Sequence, residues 1–263
     1  CSPDQELQVS SSQSSFAAET GTILDHWWDI FKYNGDEIER DIEYSSMLNL
    51  SFLNEHIYLI GEEDKLFLHP NAKVDGVSFN TSQGSIYVGE HTEIMEGALI
   101  RGPFALLSHS TVKMGAKIYG GTTIGPGCKV GGEIKNCVIQ SHSNKAHEGY
   151  IGNSVIGEWV NLGADTNCSN LKNTFNHVKT WDYASKEMKD SGETFLGCCI
   201  GDYVKTAINT MINTGTCVGV CSNLFGADFP PKYIPNFSWG KDDVIRHDLN
   251  KAIKTNQRMA NLS

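Results

Sequence analysis

The stretch VGEHTEIMEGALIRGPFALLSHSTVKMGAKIYGGTTIGPGCKV, residues 88–130, sets an apolar residue at every sixth place: Val88, Ile94, Ile100, Leu106, Val112, Ile118, Ile124 and Val130. The interval returns at Ile200, Ile212, Val218 and Leu224. An amphipathic helix would repeat near 3.6 residues and a half-buried strand at two, so neither element explains the spacing. Six-residue sides of a triangular coil do, three sides giving a coil of about 18 residues. Residue i+18 then lies above residue i at a strand spacing of about 4.8 Å. Four places after the first eight anchors stand Thr92, Ala98, Phe104, Ser110, Ala116, Thr122, Cys128 and Ile134, a mostly small series suited to tight corners. Each buried anchor contributes about 1.5–3 kcal/mol, so one coil is unstable alone while a stack of several is stable. The spacing predicts an all-β chain, a parallel β-helix of hexapeptide repeats. It does not give the hand of the coil.

The rest of the chain is read outward from this core. With 263 residues, 40% of them hydrophobic, the chain can bury a large core, and its 26 glycines suit a turn-rich solenoid. Residues 1–22 are rich in Ser, Gln and Glu and are expected to form a disordered lead. Residues 23–65 form an expected helical linker and cap. Within it Leu24–Phe31 and Glu37–Met47 carry helix-compatible periodicity that would close the open lower end of the stack. The β-helix is expected over 66–226. Its beat slips between Glu133 and Tyr150 and vanishes over 170–194, NLKNTFNHVKTWDYASKEMKDSGET, which is expected to leave the stack as a long loop. Residues 227–263 are expected to close the coil with turns and a polar helix over 241–260.

A net charge of −10 argues against a nucleic-acid partner, which needs clustered Lys and Arg to neutralise phosphates. No apolar run is long enough to cross a bilayer, and no basic-then-apolar signal peptide opens the chain. The cytoplasm is therefore the expected location. The first residue is Cys1 rather than Met, which permits a lipid-bearing processed terminus or a trimmed chain. Cys128, Cys137, Cys168, Cys198, Cys199, Cys217 and Cys221 fall in or beside the repeat, where small apolar side chains are wanted, and are expected to be reduced. Neither Cys217-x3-Cys221 nor Cys198-Cys199 matches a standard zinc spacing.

Residues 133–170 read EIKNCVIQSHSNKAHEGYIGNSVIGEWVNLGADTNCSN. This stretch resembles the acetyltransferase half of the bacterial bifunctional enzymes that acetylate glucosamine-1-phosphate and then uridylylate it. Their motif sets a lysine twelve residues before a catalytic histidine, here Lys135 and His147. It continues through H-x-x-Y-[LI]-G, here His147 to Gly152, and V-N-[IL]-G-A-x-T, here Val160 to Thr166, and ends near Asn170. The stretches WDIFKYNGDEIERD, SNKAHEGYIGNSVIG, INTMINTGTCVGV and FGADFPPKYIPNFSWG also resemble a divergent group of sugar-1-phosphate nucleotidyltransferase-like proteins in which a similar β-helix follows a nucleotidyltransferase domain.

The resemblance implies left-handed winding, a homotrimer, acetyl-CoA as cofactor and a small sugar phosphate as substrate. It also implies roles. His147 would take the ammonium proton of a sugar amine, since only the free amine attacks a thioester and imidazole titrates near neutrality. Lys135 would pair with the sugar phosphate, Tyr150 and Asn161 would hold sugar hydroxyls or the acyl group, Asn170 would contact the sugar, and coenzyme A would pass close to Ala164. The chain departs from the pattern at one place: where the family sets a phosphate-binding arginine one coil before the lysine, Tyr119 stands, and Arg101 lies one coil lower on that ladder. Residues 1–65 offer no glycine-rich phosphate-cradling loop, so nucleotidyl transfer is not expected of this chain alone.

Two rival readings remain at this stage. In a gamma-type carbonic anhydrase, two histidines five apart, as His142 and His147 are, share zinc with a third two coils earlier. At 18 residues per coil that position is Leu106, with His109 three places off. The other rival is a non-catalytic trimerising scaffold for a sugar nucleotidyltransferase.

Overall fold

The computed structural model describes residues 21–44, 56–240 and 245–261. Cys1, residues 1–20 of the expected lead, Met47 and Lys241 lie outside these spans.

From Ile57 to Trp239 the chain winds as a parallel β-helix with three sides per coil. The first side carries, rung above rung, Val77–Asn80, Leu99–Arg101, Lys117–Ile118 and the start of Glu133–Ile139. The second carries Leu66–Leu68, Ile86–Val88, Phe104–Leu106 and Thr122–Ile124. The third carries Lys73–Val74, Glu93–Ile94, Thr111–Val112, Lys129–Val130 and Asn144–Lys145. The seven-residue strands Glu133–Ile139 and Tyr150–Ile156 run through the corner between the first two sides. Of the twelve six-place anchors none is more than 2% exposed. The eight small-series residues are buried beside them. The hydrophobic effect along this single column of inward residues holds the rungs together.

Coil length explains where the six-residue beat is lost. The first coils are longer than 18 residues, with Ile57 paired to Val77 and Leu66 to Ile86. The solenoid therefore opens at Ile57, ahead of the Leu66 start read from the sequence. Between Lys129 and Asn144 a coil shrinks to fifteen residues, and the next spans seventeen, from Glu133 to Tyr150. The three-residue deficit overturns one registration made at 18 residues per coil. His109 falls not off the ladder of His142 but on it: the amide of Gly127 donates to Ser108 O, and that of His142 to Pro126 O.

The next large step, Asn161 to Lys205, contains an excursion. Within 170–194, expected as loop, lies an antiparallel β-hairpin of Lys179–Asp182 with Glu187–Asp190. It folds back on its own solenoid. Thr180 Oγ1 lies 3.2 Å from Cys217 Sγ, and the Trp181 ring stacks on Tyr233 at 3.9 Å.

The N-terminal helix, α1 (Asp29–Tyr44), is a single element. It lies against the outer face of the second side and not across the lower end of the stack. Trp28 and Phe31 are buried with Val155, Val178 and Leu196, and partly buried Val138 packs against them. Asn34 Nδ2 donates to Gly121 O at 2.8 Å, and the Glu39 carboxylate accepts from the Ser85 amide at 2.6 Å and from its hydroxyl at 2.7 Å. α1 and the hairpin thus both dress the second side. At the far end Ile245–Arg246 adds antiparallel to Ser238–Trp239, and α2 (Leu249–Ala260) follows, capped by the Asp248 carboxylate accepting from the Lys251 amide at 2.9 Å. All seven cysteines of the described residues are free, and five of them are buried.

Candidate active site

Asn144–Lys145 is the third-side strand of the shortened coil, and the chain leaves it into a tight corner, Ala146 to Gly149, before the first-side strand Tyr150–Ile156. His147 and Glu148 stand exposed at the tip of that corner. The His147 imidazole makes no hydrogen bond among the described residues, and its carbonyl accepts from Lys145 Nζ at 2.8 Å.

On the first-side flank of the corner, Lys135, Tyr150 and Asn170 are brought together. Lys135 is exposed and pairs in register with Gly152. A Cβ at Gly152 would stand 2.2 Å from the Tyr150 hydroxyl oxygen and 2.8 Å from Asn170 Nδ2. The missing side chain is therefore what lets those two polar groups meet above the strand. Asn170 donates to Asn153 Oδ1 at 2.7 Å on the rung below, and Asn167 Oδ1 on the rung above accepts from the Tyr150 amide at 2.8 Å, so adjoining rungs hold both residues. Burial pushes the Tyr150 phenol up to about 12, with Asn170 pulling the other way. Tyr150 is thus a hydrogen-bond donor throughout the neutral range.

On the third-side flank stands Asn161, half-buried, its Oδ1 accepting from Asn144 Nδ2 at 2.8 Å. Ala164 lies one rung above His147 at the same corner, since the Asp165 amide donates to Glu148 O; the Asn209 amide in turn donates to Ala164 O. Ile208, exposed, follows one rung higher. Arg101 does not join this group. Its neighbour on the ladder is Tyr119, whose other neighbour is Lys135, so two strand spacings, about 9.6 Å, separate it from the lysine. It lines a separate hollow of about 450 Å³ with Tyr58, Leu99, Lys117 and Tyr119.

The residue that the sequence reading passed over is Lys145. Its side chain is only 3% exposed, its neighbour in register is the anchor Val130, and burial lowers its ammonium to about 8. The signal is a lysine fifteen residues after an anchor, visible only once the coil is known to be short. A second missed feature is a hollow of about 610 Å³ beside α2, where Arg246, Lys251, Lys254 and Arg258 surround Trp239 in an otherwise acidic chain.

The histidines of the zinc reading do not converge within one chain. The His109 ring stacks on His91 at 5.0 Å and the His142 ring on Trp159 at 4.3 Å. His147 stands at the other end of Asn144–Lys145. Among the described residues no three His, Cys, Asp or Glu side chains gather as a metal site.

The chain has relatives among known proteins. It is 30% identical over 197 residues, 72% of its length and 85% of the relative's, to the Uncharacterized acetyltransferase YaiX of Escherichia coli O6:K15:H31. The chain belongs to the hexapeptide acetyltransferases. This acetyltransferase is also 32% identical over 154 residues, 54% of its length, to the Bifunctional sugar-1-phosphate nucleotidylyltransferase/acetyltransferase of Sulfurisphaera tokodaii, of which it covers 36%. It thus spans about a third of that larger relative, and the relative's other activity is not carried over. Among solved structures, the polysialic acid O-acetyltransferase OatWY aligns with 76% of this acetyltransferase and 98% of its own chain, at 13% identity and a TM-score of 0.34. No protein-family model matches. No helix among the described residues is long and apolar enough to cross a membrane.

Proposed function

We propose that this acetyltransferase moves the acetyl group of acetyl-CoA to the amine of a glucosamine-1-phosphate-like sugar, as a left-handed homotrimer whose sites lie along the corners carrying His147. The observation that carries the proposal is the exposed imidazole at a corner, with Lys135, Tyr150 and Asn170 gathered on one flank and Asn161 on the other.

The corner of a triangular prism is convex, and small-molecule sites are concave. A second copy laid against this corner supplies the missing wall. α1 and the hairpin occupy the second side, and α2 reaches the third only from Lys205 upward, which leaves the first side and the lower rungs of the third for that contact. The four-residue support is chemically complete for the acceptor. Lys135 pairs with the phosphate, and the protonated Tyr150 hydroxyl and the amides of Asn161 and Asn170 orient the sugar ring.

Acetyl-CoA supplies a thioester carbonyl and a thiolate leaving group. The residues present fit it. Small Ala164 leaves room along the corner above His147, and the cationic hollow around Trp239 suits phosphates and an adenine ring. From Asn144 the third-side ladder runs through Asn161, Lys205 and Asn223 to Trp239. Four strand spacings, about 19 Å, separate the two ends, a distance an extended thiol arm can span.

His147 accepts the ammonium proton at one ring nitrogen, and the freed amine forms its C–N bond at the thioester carbonyl. Backbone N–H groups at the corner would stabilise the developing oxyanion. The nitrogen of the adduct gives its second proton to solvent, and His147 returns the first to the departing sulfur as the C–S bond breaks, which leaves the imidazole neutral for the next cycle. The cytoplasm is the setting proposed, since seven free thiols persist most readily in a reducing compartment.

The test is mass-spectrometric detection of acetylated product from acetyl-CoA and a panel of amino-sugar 1-phosphates, run with wild type and His147→Ala. Product with wild type and its loss with the variant supports the reading. No product, together with no rise in melting temperature at millimolar acetyl-CoA, would leave a scaffold.

A further inference from the structure

The inward column of the third side carries Ile94, Val112, Val130, then Leu162 and, above the short Thr206, Leu224, the five aliphatic residues each at most 2% exposed. Lys145 occupies this column between Val130 and Leu162. A lysine has the least to gain there, because nothing in the column offers it an opposite charge at contact. Its one hydrogen bond is to the carbonyl of His147, two residues on, at 2.8 Å.

The space for the ammonium comes from the rung below. A Cβ at Gly132 would stand 3.0 Å from Lys145 Nζ, 3.0 Å from His147 O and 2.7 Å from Gly149 O. The comparable corner two rungs below His147 carries Ala116, fully buried. Glycine at 132 therefore opens a slot that the ammonium fills, and the slot ends on the turn that presents the imidazole. The carbonyls of Glu148 and Gly149 accept from the amides of Asp165 and Glu133 on the adjoining rungs, whereas among the described residues that of His147 is reached only by the lysine.

We propose that Lys145 is a positioning residue for acetyl transfer: from inside the prism its ammonium clamps the His147 carbonyl and so fixes the exposed turn that aims the imidazole. This rests on the acetyl-transfer reading above. Lys145 touches no substrate; it acts through the turn. A shift of about 1 Å in a catalytic group costs on the order of 100-fold in rate, so a group that fixes a four-residue turn with His147 and Glu148 exposed at its tip has ample leverage.

The test uses the full chain with Lys145→Met, which keeps the stem and removes the ammonium, beside Lys145→Val and Lys145→Leu, the residue types this column carries at 130 and 162. Three quantities are read: kcat and KM for both substrates, melting temperature, and hydrogen–deuterium exchange of the peptide spanning 144–151. The expected result is a kcat lower by on the order of 10- to 100-fold, KM values within twofold, a melting temperature at or above that of wild type, and faster exchange confined to the turn. Unchanged kcat in the folded variants overturns the assignment. So does a loss of activity that tracks a lower melting temperature with no change in turn exchange, or failure of all three variants to fold, since each would make the lysine a structural residue. If wild type shows no acetyl transfer, the acetyl-transfer reading falls instead, and the exchange comparison alone still decides whether Lys145 holds the turn.

Discussion

Replacing Lys145 with methionine will stabilise the fold near neutral pH and remove a pH dependence that wild type carries. The side chain is 3% exposed, and desolvation brings its ammonium down from 10.5 to about 8 against the opposing pull of Glu148, Asp165 and Cys137. Below pH 8 the charged form must be buried, so the lysine opposes folding in full. Between 8 and 10.5 the unfolded chain binds a proton that the folded one has released, and stability rises with pH. Above 10.5 both states are neutral and the opposition is gone. At about 1.4 kcal/mol per pH unit, the interval from about 8 to 10.5 sets a ceiling of about 3–4 kcal/mol. Lys145→Met should therefore exceed wild type by up to about 3–4 kcal/mol at pH 7 and by only about 1.4 kcal/mol at pH 9.5. Urea unfolding at matched protein concentration reads this difference, in which the titration of every other group cancels. The same gap at both pH values, or a variant less stable at pH 7, would refute the reasoning.

Further outcomes follow from the same geometry. His147→Ala should lower kcat by about 10²–10⁴-fold and leave the melting temperature within a degree or so, because the ring is exposed and makes no contact that folding uses; kinetics and differential scanning fluorimetry check it. Gly152→Ala would drive a methyl to 2.2 Å from the Tyr150 hydroxyl oxygen, and the parted Tyr150–Asn170 pair should raise KM for the acceptor by on the order of tenfold, about 1.4 kcal/mol, with KM for acetyl-CoA unchanged. Trp181→Ala removes the ring stacked on Tyr233 at 3.9 Å; it should lower stability by about 0.5–1.5 kcal/mol beyond the lost burial and leave kcat as it was. A drop in kcat there would put the hairpin in the site.

The twelve anchors fixed the architecture before any coordinates, because a six-residue period has one geometric solution and an aliphatic column announces itself. What was hidden lay where the period changes. The fifteen-residue step from Lys129 to Asn144 displaces every 18-residue count that crosses it, so Lys145 does not register as an inward position and His109 reads as a residue off its ladder. The position of α1 was legible in principle. Outward residues of the second side, Ala105, Val138, Val155 and Cys217, are small or apolar where solvent would favour polar ones, and α1 with the hairpin covers them. The hairpin itself is hidden in a polar stretch, because its strands Lys179–Asp182 and Glu187–Asp190 bury only Thr180 and carry little apolar alternation. Within the candidate site, the motif named the side chains, and register then showed which share a flank. Tyr150 and Asn170 meet over Gly152, the register partner of Lys135, whereas Arg101 lies two rungs from that lysine.

A crystal structure of the chain with coenzyme A tests the central claim most directly. The account predicts the thiol within about 4 Å of the His147 imidazole, close enough for proton transfer with the acceptor in place, the arm rising past Ala164 and a neighbouring copy closing the corner. Coenzyme A seated away from that corner, or an imidazole walled off from it in the assembled protein, would contradict the account.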